Sequence, residues 1–173
     1  PLSMNQFKPI IILFLFLFIP WVNAQALTIE NYNDSRSHVV TNDTDDDLLL
    51  MGGESVLLEG DVNGDLIIWG GTVKVTGNVE GNVYAFGGDI TLTDMIGKSL
   101  YVVGGTVDME GDVIRDVFVA AGRVGIRGSV GEDVNIAGGE VVLDAMVGDD
   151  VRLTSGTAKL NNTIGGDVLS ASG

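Results

Sequence analysis

Seven stretches of this chain repeat one another at a fixed interval of seventeen residues, and that interval constrains the fold more than any other feature. DLIIWGGTVKVTGNVEG starts at Asp65, NVYAFGGDITLTDMIGK at Asn82 and SLYVVGGTVDMEGDVIR at Ser99. Further units start at Asp116, Asp133 and Asp150, and DVLSASG from Asp167 stops within a unit. An earlier unit from Leu48 is in phase apart from one extra residue near its corner. Stacked on one another, the units give five apolar columns. Their members in the Asp65 unit are Leu66, Ile68, Val73, Val75 and Val79, and across all units only Ser170 is not apolar. Within a unit the columns fall as two, two and one. Members of a pair are separated by one residue, which is the alternation of a strand. Gly-Gly or a Gly/Asn/Asp turn stands between the groups, where the chain can corner with positive φ.

Three short strands and three corners per seventeen residues describe one turn of a parallel β-helix. The expected fold is therefore all-β: a right-handed parallel β-helix of about seven turns, with like residues stacked ~4.8 Å apart. A helical reading fails because i, i+3, i+4, i+7 spacing never appears and glycine interrupts every window. A propeller needs ~40-residue blades. The left-handed hexapeptide helix needs an apolar residue every six, whereas the inward gaps here are uneven. The distribution of glycine and proline agrees. All 25 Gly lie between Gly52 and Gly173 and all 3 Pro lie before residue 21, so the repeat region keeps every backbone N–H for its ladders.

The N-terminal part reads differently. Met4 is the first Met, which leaves residues 1–3 upstream of it. Lys8, the apolar run Ile10–Ile19 and the small-residue site Val22-Asn23-Ala24 make residues 1–24 a signal peptide. An uncleaved anchor, helped by Trp21 at the interface, is the alternative. The mature chain is then exported across the cytoplasmic membrane, to the periplasm, the cell envelope or the cell surface. Residues 25–47 form an acidic leader, a solvated linker or N-terminal cap, in which Leu27 and Ile29 alternate as in a short capping strand. The β-helix domain is expected over 48–173. Its last unit stops in register at a Gly corner, as a fragment of a longer protein would, or as a rod that stacks on its neighbour.

With 24 Asp+Glu against 9 Lys+Arg the formal charge is −15, which disfavours nucleic acid as a partner. The absence of Cys removes disulfides and thiol chemistry, and the single His, His38, excludes a relay of several. No enzyme is expected, because the corners carry almost no insertions from which to build a cleft, and no cofactor is expected. The Gly corners are not phosphate loops, since no helix bearing a Lys follows them. An ice-binding face would need a regular Thr-x-Thr ladder, and only Thr91-Leu92-Thr93 fits.

Three groups of residues remain as candidates. Ile67, Trp69, Tyr84, Phe86, Tyr101, Val103 and Phe118 alternate with the core set and should form one outward aromatic face, for lateral association or partner docking. The same face could instead be covered by the leader or by a missing segment. The column Asp65, Asn82, Ser99, Asp116, Asp133, Asp150, Asp167 stacks carboxylates that repel one another. Either each accepts backbone N–H bonds at its corner, or the edge binds cations, with Asp116, Asp133, Asp150 and Asp167 as weak metal candidates. Asp45–Asp47 lack the EF-hand spacing. Finally, a β-helix exposes a strand edge at each end, which makes Leu48, Leu50 and Val168 candidate end-stacking residues.

GDLIIWGGTVKVTGNVEGNVYAFGG and the units after it resemble the bactofilins, the polymer-forming bacterial proteins, over about residues 48–173. The resemblance lies in the unbroken short rung and its G-[DN]-[VL]…GG…V-x-[VIL]…V pattern. It implies a right-handed β-helix that joins end to end into filaments without nucleotide and acts as an envelope scaffold. The signal peptide departs from the usual cytosolic members, and the Gly-Gly corner carried throughout the rungs is similar to that of exported bactofilin-like proteins. The function expected is a non-catalytic, polymer-forming scaffold of the cell envelope or surface. Its partners are copies of itself and an envelope or membrane protein. The alternative is a binding or stalk module, an adhesin or an extracellular sensor domain, of a longer membrane-associated protein.

Overall fold

The computed structural model describes residues 27–32 and 37–173. The signal-peptide reading of residues 1–24 falls outside the described residues. The fold is a right-handed parallel β-helix of about eight turns. Its strands are β1 (Leu27–Tyr32), β2 (Ser37–Val40), β3 (Asp47–Gly52), β4 (Ser55–Leu58), β5 (Leu66–Val75) and β6 (Val83–Leu92). They continue as β7 (Leu100–Met109), β8 (Val117–Val130), β9 (Val134–Val147), β10 (Val151–Asn161) and β11 (Val168–Ser172). Every pairing is parallel, and from β5 onward each residue lies beside the one seventeen positions later, as in Leu66↔Val83 and Val83↔Leu100.

All five columns point inward. Leu66, Ile68, Val73 and Val79 are fully buried, and Leu100, Met109, Val117 and Ile126 are equally closed off farther along the rod. Each such side chain contributes roughly 1.5–3 kcal/mol of apolar burial. Because the columns repeat, that interior continues from rung to rung without a break.

Three details differ from what the sequence alone suggested. First, the Gly-Gly corners do not interrupt the strands: β5, β6 and β7 run through them, and Gly70↔Gly87 and Gly87↔Gly104 are ladder pairs. The third face is narrow, a run of single bridges through Val62, Val79, Ile96 and Val113 that widens into strand only in β8 and β9. Second, glycine is needed at the turns chiefly for close approach, not for positive φ. Among the described residues only Gly128 (φ 97) and Asn162 (φ 98) have positive φ. A Cβ on Gly77, Gly111 or Gly148 would run into the carbonyl oxygen of Gly60, Asp94 or Gly131 on the rung before it. Third, the extra residue of the Leu48 unit sits at its first corner. Gly52-Gly53-Glu54 occupies the space that Gly70-Gly71 fills one rung later, so Leu48↔Leu66 is spaced by eighteen and Val56↔Val73 by seventeen.

The leader also belongs to the solenoid. β1 pairs with β3, β2 with β4, and Thr44 bridges Val62. Residues 27–32 and 37–44 thus belong to one further rung, and the β-helix starts before the expected boundary at residue 48. The inward columns change character there. Thr28 lies over Leu48, Glu30 over Leu50, His38 over Val56 and Thr44 over Val62, and only Val40, over Leu58, stays apolar and buried. This is the first rung among the described residues, and polar groups at its inward positions blunt an edge that would otherwise template further pairing.

Candidate interaction face

The aromatic face forms as the alternation requires. Between the inward residues of each rung stand two outward ones, and the parallel register sets equivalents directly above one another: Ile67↔Tyr84↔Tyr101↔Phe118 in one column and Trp69↔Phe86↔Val103↔Ala120 in the next. Tyr84 and Tyr101 stack with centroids 5.0 Å apart and planes 7° apart, and Tyr101 and Phe118 lie at 5.0 Å and 1°. The rung spacing of ~4.8 Å imposes that distance. Trp69 and Phe86 are 6.2 Å apart and tilted by 44°. Stacking half-buries the two tyrosines. Trp69 remains 62% exposed, Val103 53%, and Ile67, Phe86 and Phe118 between 37% and 39%. Tyr84 has its phenol pushed above the ordinary value of 10.0, first by burial and then by the charge of Asp65 and by Tyr101.

The face is longer than the span from Ile67 to Phe118. Ile29 of the first rung lies beside Leu49, and Met51 lies beside Trp69, so the apolar strip begins on the leader. The leader therefore extends the face rather than covering it. At the other end the second column shrinks to Ala120, Ala137, Thr154 and Ala171. The result is a shallow trough of about 580 Å³, walled by Tyr101 and Phe118 at one end and by Arg152 and Leu169 at the other. Arg152 is its one charged lining residue. Column order alone could have revealed this trough, since the change from large to small at Val103 is visible in the repeat.

The Asp column is a hydrogen-bonded ladder. Asp47 Oδ1 accepts the backbone N–H of Asp65 at 2.8 Å, and Asp65 Oδ1 that of Asn82 at 2.8 Å. Asp133 accepts from Asp150 at 3.1 Å, and Asp150 from Asp167 at 2.9 Å. Each side chain thus serves the next rung and not its own corner. Ser99 donates its hydroxyl to Asp116 at 3.1 Å. Arg152 donates to Asp133 at 3.0 Å and to Asp150 at 2.8 Å. That guanidinium holds the Asp133 carboxyl below its ordinary value of 3.8, helped by the N–H of Asp150. Asp133, Asp149 and Asp150 bring one oxygen each within 4.8 Å of one another. Arg152 already occupies the charge-balancing position beside two of the three. Asp116, another of the metal candidates, has Arg115 at 4.0 Å. The repeat gives no sign of a second set of such bonds: Asp61 accepts the N–H of Asn78 at 2.8 Å, and Asp112 that of Ser129 at 2.8 Å.

The end-stacking candidates separate. Leu48 and Leu50 are fully buried beneath Thr28 and Glu30, so they are interior residues and not edge residues; the leader rung corrects that expectation. Val168, on β11, is half exposed, and Leu160 on the preceding rung is 37% exposed. No family model, curated protein or solved structure matches the chain.

Proposed function

We propose that the protein is a non-catalytic scaffold of the bacterial envelope or cell surface, an exported rod that works by presenting surfaces for assembly with copies of itself. The observation that carries this reading is the continuous apolar face from Leu49 to Phe118, laid out on a rod whose rungs pair residue for residue without an inserted loop. A contiguous exposed patch of this extent marks an interaction site on a soluble protein. The bactofilin resemblance implies self-association too, though end to end and not side by side. A further rung added in register on β11, from the same chain or from another copy, would bury Leu160, Ile164 and Val168. The first rung offers no equal surface, because Glu30 and His38 stand at inward positions. Assembly on this reading uses the sides of the rod, and head-to-tail stacking on the first rung is opposed. Size-exclusion chromatography with light scattering, and negative-stain microscopy, on the full chain test the proposal. Assembly that grows with concentration is expected, and a strict monomer at every concentration contradicts it.

The polar first rung favours one alternative, a binding or stalk module of a longer membrane-associated protein, since a rod closed at one end suits a projecting tip. A complete reading frame with further rungs or a membrane anchor after residue 173 would favour that alternative over the scaffold.

A further inference from the structure

We infer that two copies of the chain pack through this face in antiparallel orientation, the aromatic ridge of each seated in the trough of the other. The inference rests on the reading of the face as an association surface and specifies its geometry. The outer column next to the Gly-Gly corner reads Met51, Trp69, Phe86, Val103, Ala120, Ala137, Thr154 from rung to rung, bulky before Val103 and small after it. A two-fold axis lying in the contact plane and perpendicular to the rod reverses the order of the rungs and keeps each column opposite itself. Set at the Val103 rung, it places Phe86 against Ala120 and Trp69 against Ala137 of the second copy, and the reverse by symmetry. In the neighbouring column Tyr101 then meets Tyr101, and Tyr84 meets Phe118, so ring meets ring. The trough of about 580 Å³ has room for an indole and a phenyl ring. A parallel pairing would instead set bulk against bulk and leave both troughs empty.

Area and charge point to a second copy as the occupant. The exposed parts of Ile67, Trp69, Phe86, Val103 and Phe118 amount to on the order of 500 Å² per copy, so the pair buries roughly 1,000 Å², the lower bound for a specific contact. The outward positions from Leu49 to Ala137 in these two columns carry no charge, while each chain carries −15. Pairing thus works against long-range repulsion, and added salt strengthens it. A basic partner would show the opposite salt dependence.

Sedimentation equilibrium of the full chain at low and high salt tests this. Trp69→Ala removes the ridge and Ala137→Trp fills the trough; each should weaken dimerisation by about tenfold or more. The double variant W69A/A137W exchanges ridge and trough and should recover most of that loss. Both positions face outward, so unchanged circular dichroism is expected throughout. Because the chain has no Cys, Val103→Cys offers a single thiol beside the axis and should give a covalent dimer on oxidation. If Trp69→Ala weakens association but the double variant gives no rescue, the antiparallel geometry is wrong while the face still associates. If no variant on the face has any effect, the geometry and the scaffold reading fall together. A monomeric full chain whose Val103→Cys variant does not cross-link, as when residues 10–19 fold back over the face, also overturns the inference.

Discussion

At the scale of single residues, neighbours one rung away decide what each position tolerates. Gly77 faces the carbonyl of Gly60 so closely that any Cβ must push the rungs apart, whereas a Cβ on Gly156 would meet Gly139 O at 3.1 Å, a tight contact that a small shift relieves because little else is nearby. Gly77→Ala should cost about 1–3 kcal/mol by thermal or urea unfolding, and Gly156→Ala much less. Equal losses would mean that the corners are not closely packed. Asp133 supplies a pH test. Its carboxyl is held below 3.8 by Arg152, so the ion pair stabilises the fold above that pH and stops doing so as pH falls through the depressed value. Arg152→Ala is expected to lower the melting temperature slightly at neutral pH, by the small amount typical of exposed pairs, with wild type and variant converging in acid. A gap that persists or widens in acid would show that Arg152 acts through packing and not through charge.

At the scale of strands and rungs, the periodic features were legible in the sequence and the aperiodic ones were not. Val73, Val75 and Val79 could be placed inward because every later full unit has an apolar residue in the same columns, and the outward aromatics followed from alternation. The leader was harder to read. Thr28, Glu30, His38 and Thr44 occupy inward columns but are polar, so the hydrophobic pattern that revealed the other rungs is absent from the first described one. The reach of each Asp to the following rung was likewise invisible, since an Asx turn and a rung-to-rung bond demand the same residue type. These placements have measurable consequences. Ile126→Ala, in a fully buried column, should cost about 2–5 kcal/mol, and Leu160→Ala, already 37% exposed, clearly less. Replacing Thr28 and Glu30 with Leu would make the first rung apolar at two more inward positions. Faster, concentration-dependent aggregation of that variant is expected by light scattering, and unchanged solubility would argue against a capping role.

At the scale of the whole molecule, about eight rungs at ~4.8 Å give a rod about 40 Å long, aliphatic inside after its first rung and unequal outside. One side is apolar and stepped, one end is polar, and the surface as a whole is strongly acidic. The proposed modes of association differ in shape: contact between faces would thicken the rod, and end-on stacking would lengthen it. Small-angle X-ray scattering of the full chain over a concentration series, with a Trp69→Glu/Phe86→Glu variant alongside, separates them most directly. The wild type should scatter as a rod whose cross-section grows with concentration, and the variant should remain a thin rod of the same length. A compact globular profile, or a cross-section indifferent both to concentration and to the loss of Trp69 and Phe86, would contradict the claim that this β-helix exists to present an adhesive face.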